Sequence, residues 1–140
     1  MSHTITKEYR CEIAHRLINY NGKCAHLHGH SYVFELAVRG ELDQRAMVAD
    51  YADIKAAMKE VLEPYDHACI LHSHDPLVMA KELQTSTDGS ISRLFVWACN
   101  PTAEAMAHAF GSTLQSKLKP LQVVSFTVRE TVTSSAVWTP

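Results

Sequence analysis

Apolar and polar side chains alternate along the first stretch of the chain. From Ile5 the odd positions read Ile5, Lys7, Tyr9, Cys11, Ile13 and His15, and the even ones Thr6, Glu8, Arg10, Glu12 and Ala14. A two-residue repeat with one predominantly apolar side predicts a half-buried strand, with His15 in phase with the covered side. Asn19-Tyr20-Asn21-Gly22 follows as a turn or loop. A sharper alternation comes next. His28, His30, Tyr32, Phe34, Leu36 and Val38 share one side, and Ser31, Val33, Glu35, Ala37 and Arg39 the other, before Gly40 ends the strand. His28 and His30 also fall on the apolar side.

Helical spacing then takes over. Asp50 supplies a cap, and Asp53 stands in the first turn, where negative charge complements the helix dipole. Ile54, Ala57, Met58, Val61 and Leu62 form an apolar stripe, and Pro64 stops it. Residues 65–71 are short and mostly apolar, and 72–75 and 85–90 read as loops. Residues 92–98 have strand composition. Asn100 as cap and Pro101 at the first helical position predict a second helix, with Met106, Phe110, Leu114 and Leu118 as its stripe and Pro120 as its stop. The last strand covers about 121–130, its even side reading Val124, Phe126, Val128 and Glu130, and a short strand near 136–138 pairs back on it. The order strand, strand, helix, strand, helix, strand, strand predicts an α+β class: one domain over residues 1–140, an antiparallel sheet with two helices on one face.

Composition narrows the function classes. At 140 residues, 46% hydrophobic and 20% charged, the chain is neither disordered nor fibrous. Thirteen Lys and Arg against fifteen Asp and Glu give a formal charge of −2, so no overall field draws in nucleic acid or an acidic membrane. The apolar runs are too short to span a bilayer, and the first eight residues lack the apolar stretch of a signal peptide; a cytoplasmic location is the expectation. Cys11, Cys24, Cys69 and Cys99 form no Cys-x-x-Cys pair, which argues against a cysteine-rich zinc site and a zinc deaminase; all four are expected as thiols.

The informative excess is nine histidines. Residues i and i+2 of a strand project to one side, so His28 and His30, joined by His15 from a neighbouring strand, can make a three-imidazole face. Such a set suits a zinc ion with its fourth position open. Core histidines satisfied by the backbone are the alternative for any one of them. Three on coincident covered sides favour the metal, because an uncompensated buried polar group costs about 1–3 kcal/mol. Gly29 lets the backbone come close to whatever lies above it. His26 shares the phase, and His72 and His74 repeat the spacing in a loop. Cys24 precedes His28 by four residues; a thiol near zinc and imidazoles can serve as base or nucleophile, and otherwise it is a small buried hydrophobe. Asp66 can orient His67 and fix its tautomer, or the two form a surface turn. Glu130 either sits on an apolar face, where a ligand with adjacent N–H donors such as a pterin would satisfy it, or lies in solvent beyond the strand end.

Together these residues resemble the 6-pyruvoyl-tetrahydropterin synthase/6-carboxy-tetrahydropterin synthase family. The resemblance rests on Ala14-His15-Arg16-Leu17, Lys23-Cys24-x-x-Leu27-His28-Gly29-His30-Ser31, Asp66-His67, Asn100-Pro101-Thr102-x-Glu104 and Arg129-Glu130-Thr131. These occur in family order over nearly the whole chain, and the Leu-His-Gly-His-Ser version is similar to the bacterial queuosine-pathway branch. The resemblance implies a tunnelling fold (T-fold) whose sheets join into a barrel-like ring, with trimers stacking into a homohexamer and active sites at subunit interfaces. It implies zinc held by His15, His28 and His30, Cys24 as general base, and His67, oriented by Asp66, as proton donor or relay. Glu130 would grip the pterin. Thr102 and Glu104 would stand near it, although a helix-start role is equally natural for both. The implied reaction turns 7,8-dihydroneopterin triphosphate into 6-carboxy-5,6,7,8-tetrahydropterin, acetaldehyde and triphosphate. The alternatives are triphosphate elimination alone, giving 6-pyruvoyl-tetrahydropterin, and a non-catalytic zinc- or pterin-binding protein. The segment 72–98 is longer than in compact bacterial members, and His26 is taken as structural.

Overall fold

The two alternating stretches form the longest strands, β1 (Ser2–His15) and β2 (His28–Glu41), in a computed structural model that describes residues 1–80 and 93–140. They pair antiparallel from Ser2 opposite Glu41 to His15 opposite His28. The helices follow as α1 (Tyr51–Leu62) and α2 (Ala103–Lys117), the remaining strands as β3 (Ala68–His72), β4 (Arg93–Trp97), β5 (Gln122–Thr131) and β6 (Ser134–Trp138). Among the described residues the sheet has six strands, in the order β4-β3-β1-β2-β5-β6.

One apolar core joins helices and sheet. The odd side of β1 and the even side of β2 contribute Cys11, Ile13, Tyr32, Phe34, Leu36 and Val38, and β5 adds Val123, Phe126 and Val128. Ile54, Met58 and Leu62 of α1 and Met106, Phe110 and Leu114 of α2 cover them. Asp50 caps α1 as its sequence predicts, accepting the Ala52 N–H. At Gly111 the second helix comes so close to the sheet that a Cβ would run into the Trp138 ring and stand 3.0 Å from the Phe126 Cβ.

Three elements differ from the sequence expectation. The sheet is mixed, because β3 runs parallel to both β1 and β4. This strand lies mostly within residues 65–71, and four of its five residues are buried; a strand covered on both faces shows no alternation. Second, Val123 rather than Val124 is buried, because a register shift beside Ala37 and Val38 moves the phase by one residue. Third, α2 is capped by Thr102, whose Oγ1 accepts the Ala105 N–H at 3.1 Å, not by Asn100. The Asn100 amide is engaged instead with the backbone of Ile18, and Pro101 precedes the helix. In the 72–75 loop, His72 closes β3 and Asp75 caps a short 3-10 turn (Pro76–Met79). The loop reading of 85–90 and the start of the 92–98 strand lie outside the described residues.

Candidate active site

Strand register assembles the three imidazoles. His15 stands opposite His28, and His30 lies two residues on, opposite Ile13. One donor nitrogen from each lies within 4.8 Å of the others. His15 Nδ1 donates to the Pro101 carbonyl at 2.6 Å and His28 Nδ1 to the His26 carbonyl at 2.6 Å. A carbonyl only accepts, so in the neutral rings both protons sit on Nδ1 and both Nε2 atoms present lone pairs, 3.1 Å apart. Two facing lone pairs repel unless a positive centre lies beside them. His30 Nε2 is buried and has no hydrogen-bond partner among the described residues. The donor set therefore fits a divalent cation of zinc's type: three imidazole nitrogens, two with their outer nitrogens fixed by backbone carbonyls. Burial lowers the pKa of His15 and His30, which favours the neutral, ligating form; Glu130 partly offsets this in both, as does the Pro101 contact for His15.

A cavity of about 260 Å³ opens beside this face. His15, Cys24, Thr102, Glu104 and Glu130 line it, together with Tyr20 and the start of β6. Five of the residues singled out from sequence thus share one wall. Glu130 is half-buried, its Oε1 3.6 Å from His30 Nε2. Thr102 fills both roles open to it, capping α2 and lining the cavity. Cys24 lies in a short 3-10 turn (Lys23–Ala25), half-buried, and all four cysteines are free thiols.

Asp66 and His67 are placed elsewhere. His67 lines a different cavity of about 430 Å³ with Glu12, Ala14 and Ser31, whose parity on β1 and β2 is opposite to that of His15, His28 and His30; His30 and Ile13 reach its wall as well. The pair is anchored on Glu12 of β1. The Asp66 carboxylate accepts the Glu12 N–H at 2.7 Å, and the His67 N–H donates to the Glu12 carbonyl at 2.6 Å. Asp66 Oδ2 meets His67 Nδ1 at 3.0 Å, so the predicted orienting contact is present. Burial alone would raise the Asp66 carboxyl, but the Glu12 amide and His67 hold it below the usual range. His67 has φ 59°, in the left-handed region that a non-glycine residue keeps only when its surroundings impose it.

Other histidines stand apart from the trio. His26 is exposed and acts through its carbonyl; His72 and His74 pack ring to ring at 5.1 Å at the end of β3. Sequence reading missed Tyr32, Asn100 in its actual role, and the Arg16–Asp75 pair. Tyr32 is fully buried, with its hydroxyl 3.4 Å from both ring nitrogens of His15. Burial, and then Glu130, push its phenol well above the ordinary value. Its signal was present: it continues the His28, His30 parity by one step.

Comparison with known proteins bears on these arrangements. A sequence model of the family described as 6-pyruvoyl tetrahydropterin synthase matches residues 4–140. A protein of Aquifex aeolicus named 6-carboxy-5,6,7,8-tetrahydropterin synthase is 32% identical, covering 97% of this chain and 97% of its own. One of the same name from Haemophilus influenzae is 33% identical over 93% of this chain and 94% of its own. Among solved structures, an uncharacterized protein of Wolinella succinogenes superposes with a TM-score of 0.81 at 23% identity, covering 99% of this chain and 98% of its own. The 6-pyruvoyl tetrahydropterin synthase of Caenorhabditis elegans does so with 0.71 at 24%, covering 100% and 96%.

Proposed function

The chain belongs to the 6-pyruvoyl tetrahydropterin synthase family and has its tunnelling fold, and from that premise we propose that it is a zinc-dependent carbon–carbon lyase. Its substrate is 7,8-dihydroneopterin triphosphate, and its products are 6-carboxy-5,6,7,8-tetrahydropterin, acetaldehyde and triphosphate. The name shared by the Aquifex and Haemophilus relatives supports this product. The deazaguanine of queuosine is the product's onward use. The observation that carries the reading is the convergence of three imidazoles, a thiol and a carboxylate beside one cavity.

His15, His28 and His30 hold the zinc, which when bound supplies a Lewis-acid centre for substrate oxygens. Glu130 accepts the adjacent amino and ring N–H groups of the pterin and fixes its orientation, with Thr102 and Glu104 beside it. Cys24 removes a proton from a side-chain carbon of the substrate. His67, its ring held by Asp66, donates or relays a proton. Cys24 and His67 open on different cavities of one chain, which supports completion of each site by a neighbouring copy. Among the described residues β4 and β6 are the sheet edges, and edge strands are where further pairing occurs. A homohexamer of two stacked trimers with sites between subunits fits both features. The whole chain, residues 1–140, acts as one catalytic domain.

Incubating zinc-loaded protein with 7,8-dihydroneopterin triphosphate is expected to release acetaldehyde and triphosphate in equal amounts. Triphosphate without acetaldehyde would identify a 6-pyruvoyl-tetrahydropterin synthase instead. Cys24→Ala is expected to keep its zinc and lose at least about a hundredfold in turnover, the usual worth of a general base. A fully active variant assigns the base elsewhere, and loss of zinc makes Cys24 a ligand.

A further inference from the structure

Cys24 lies in the connection between β1 and β2, where the only regular structure is the single turn Lys23–Ala25. Contacts outside that turn fix its position. The Leu17 N–H donates to the Cys24 carbonyl at 2.9 Å and closes the loop on itself. The next residue, Ile18, is held by one side chain. Asn100 Oδ1 accepts the Ile18 N–H at 2.9 Å, and Asn100 Nδ2 donates to the Ile18 carbonyl at 2.9 Å. A carboxamide has both a carbonyl acceptor and an N–H donor, so it can pair with a peptide unit as a neighbouring strand would. The contact joins residues 82 positions apart.

The two residues after Asn100 give the contact its meaning. The Pro101 carbonyl receives His15 Nδ1, and Thr102 caps α2 while lining the cavity. Three successive residues thus hold the thiol-bearing loop, a metal-directed imidazole and the cavity wall. We propose that Asn100 is a positioning residue: its two hydrogen bonds to Ile18 set where Cys24 stands relative to the histidine face. The inference rests on the reading of Cys24 as the base. Proton abstraction needs heavy atoms within about 2.6–3.2 Å, and a misplacement of about 1 Å can cost on the order of a hundredfold in rate. Asn100→Ala releases Ile18. Asn100→Asp keeps the size and the acceptor but turns a second oxygen on the Ile18 carbonyl.

Three measurements on the zinc-loaded protein test this. In Asn100→Ala the Ile18 amide is expected to exchange about fivefold or more faster, as loss of a hydrogen bond worth about 1 kcal/mol implies, with the amides of α2 unchanged; Asn100→Asp keeps the acceptor of that amide and is read by the other two measurements. Alkylation of Cys24 by iodoacetamide, mapped by peptide mass spectrometry so that Cys99 is counted separately, is expected to speed up several-fold. The kcat is expected to fall by roughly ten- to a hundredfold, with KM and zinc content held. Wild-type exchange at Ile18 and wild-type alkylation of Cys24 would overturn the proposal, as would a fall in kcat that only tracks lost zinc. If Asn100→Ala loosens α2 itself, the Cys24 alkylation rate and the kcat of the near-isosteric Asn100→Asp decide. Exchange and alkylation do not depend on turnover, so an active Cys24→Ala would sink the assignment of the base and leave the positioning result to stand by itself.

Discussion

The Asp75 carboxylate is wholly buried and meets Arg16 in a fork, Nε to Oδ2 at 2.6 Å and Nη2 to Oδ1 at 2.5 Å, while also accepting the Leu77 N–H. Burial alone would raise its pKa, but the guanidinium and the Leu77 amide bring the carboxyl below the usual range. A carboxyl with a folded-state pKa below its unfolded value stabilises the fold fully above the unfolded value of about 4, and that stability is lost as pH falls through the folded pKa. Asp75→Asn is therefore expected to lower stability at pH 7 by about 3 kcal/mol, through a guanidinium left partly buried without its partner. Its deficit is expected to shrink as pH falls below about 4; urea midpoints at neutral pH and about one unit below that value check this for both proteins, and a constant gap would remove the ion pair from the account. Neither this pair nor the Asn100 clamp was legible in the sequence. Their partners lie 59 and 82 positions away, and Asn before Pro carries a local helix-cap signal that the fold overrides. The three histidines were legible, because strand parity fixes side-chain direction without reference to anything distant.

Elements were readable where they have one wet face. β1, β2 and α1 show their period because solvent covers one side; β3 does not, being buried, and it turns an expected antiparallel sheet into a mixed one. The phase of β5 slipped for a different reason: the register irregularity lies in its pairing with β2, which the strand's own residues do not reveal. The packing of α2 on β5 and β6 gives an element-level prediction. Gly111→Ala adds about 1 kcal/mol of intrinsic helix preference, yet the new methyl meets the Trp138 ring and the Phe126 Cβ. Overpacking in a filled core costs about 1–3 kcal/mol, so the variant is expected to have a lower urea midpoint. A higher midpoint would mean that α2 can lift from the sheet without loss.

For the whole molecule, the question is how the two cavities cooperate. One chain places Cys24 and Glu130 with His15 in one cavity and sets His67 in another, beside Glu12, Ser31 and His30. If a neighbouring copy completes each site, Cys24→Ala and His67→Ala proteins, each inactive alone, are expected to regain activity when unfolded, mixed in equal amounts and refolded together. Random mixing sets the recovery at about a quarter of wild type. No recovery would mean that each chain works alone. The division follows from β1, where Glu12 anchors the Asp66–His67 pair and His15, three residues on, faces the metal-directed side. Those four positions act as a ruler that cannot be cut. Inserting or deleting a single residue between them would flip one end against the other and exchange what each side of the partition presents. Length variation in this strand is therefore expected to collect at its outer end near Ser2, where neither chemistry has a stake.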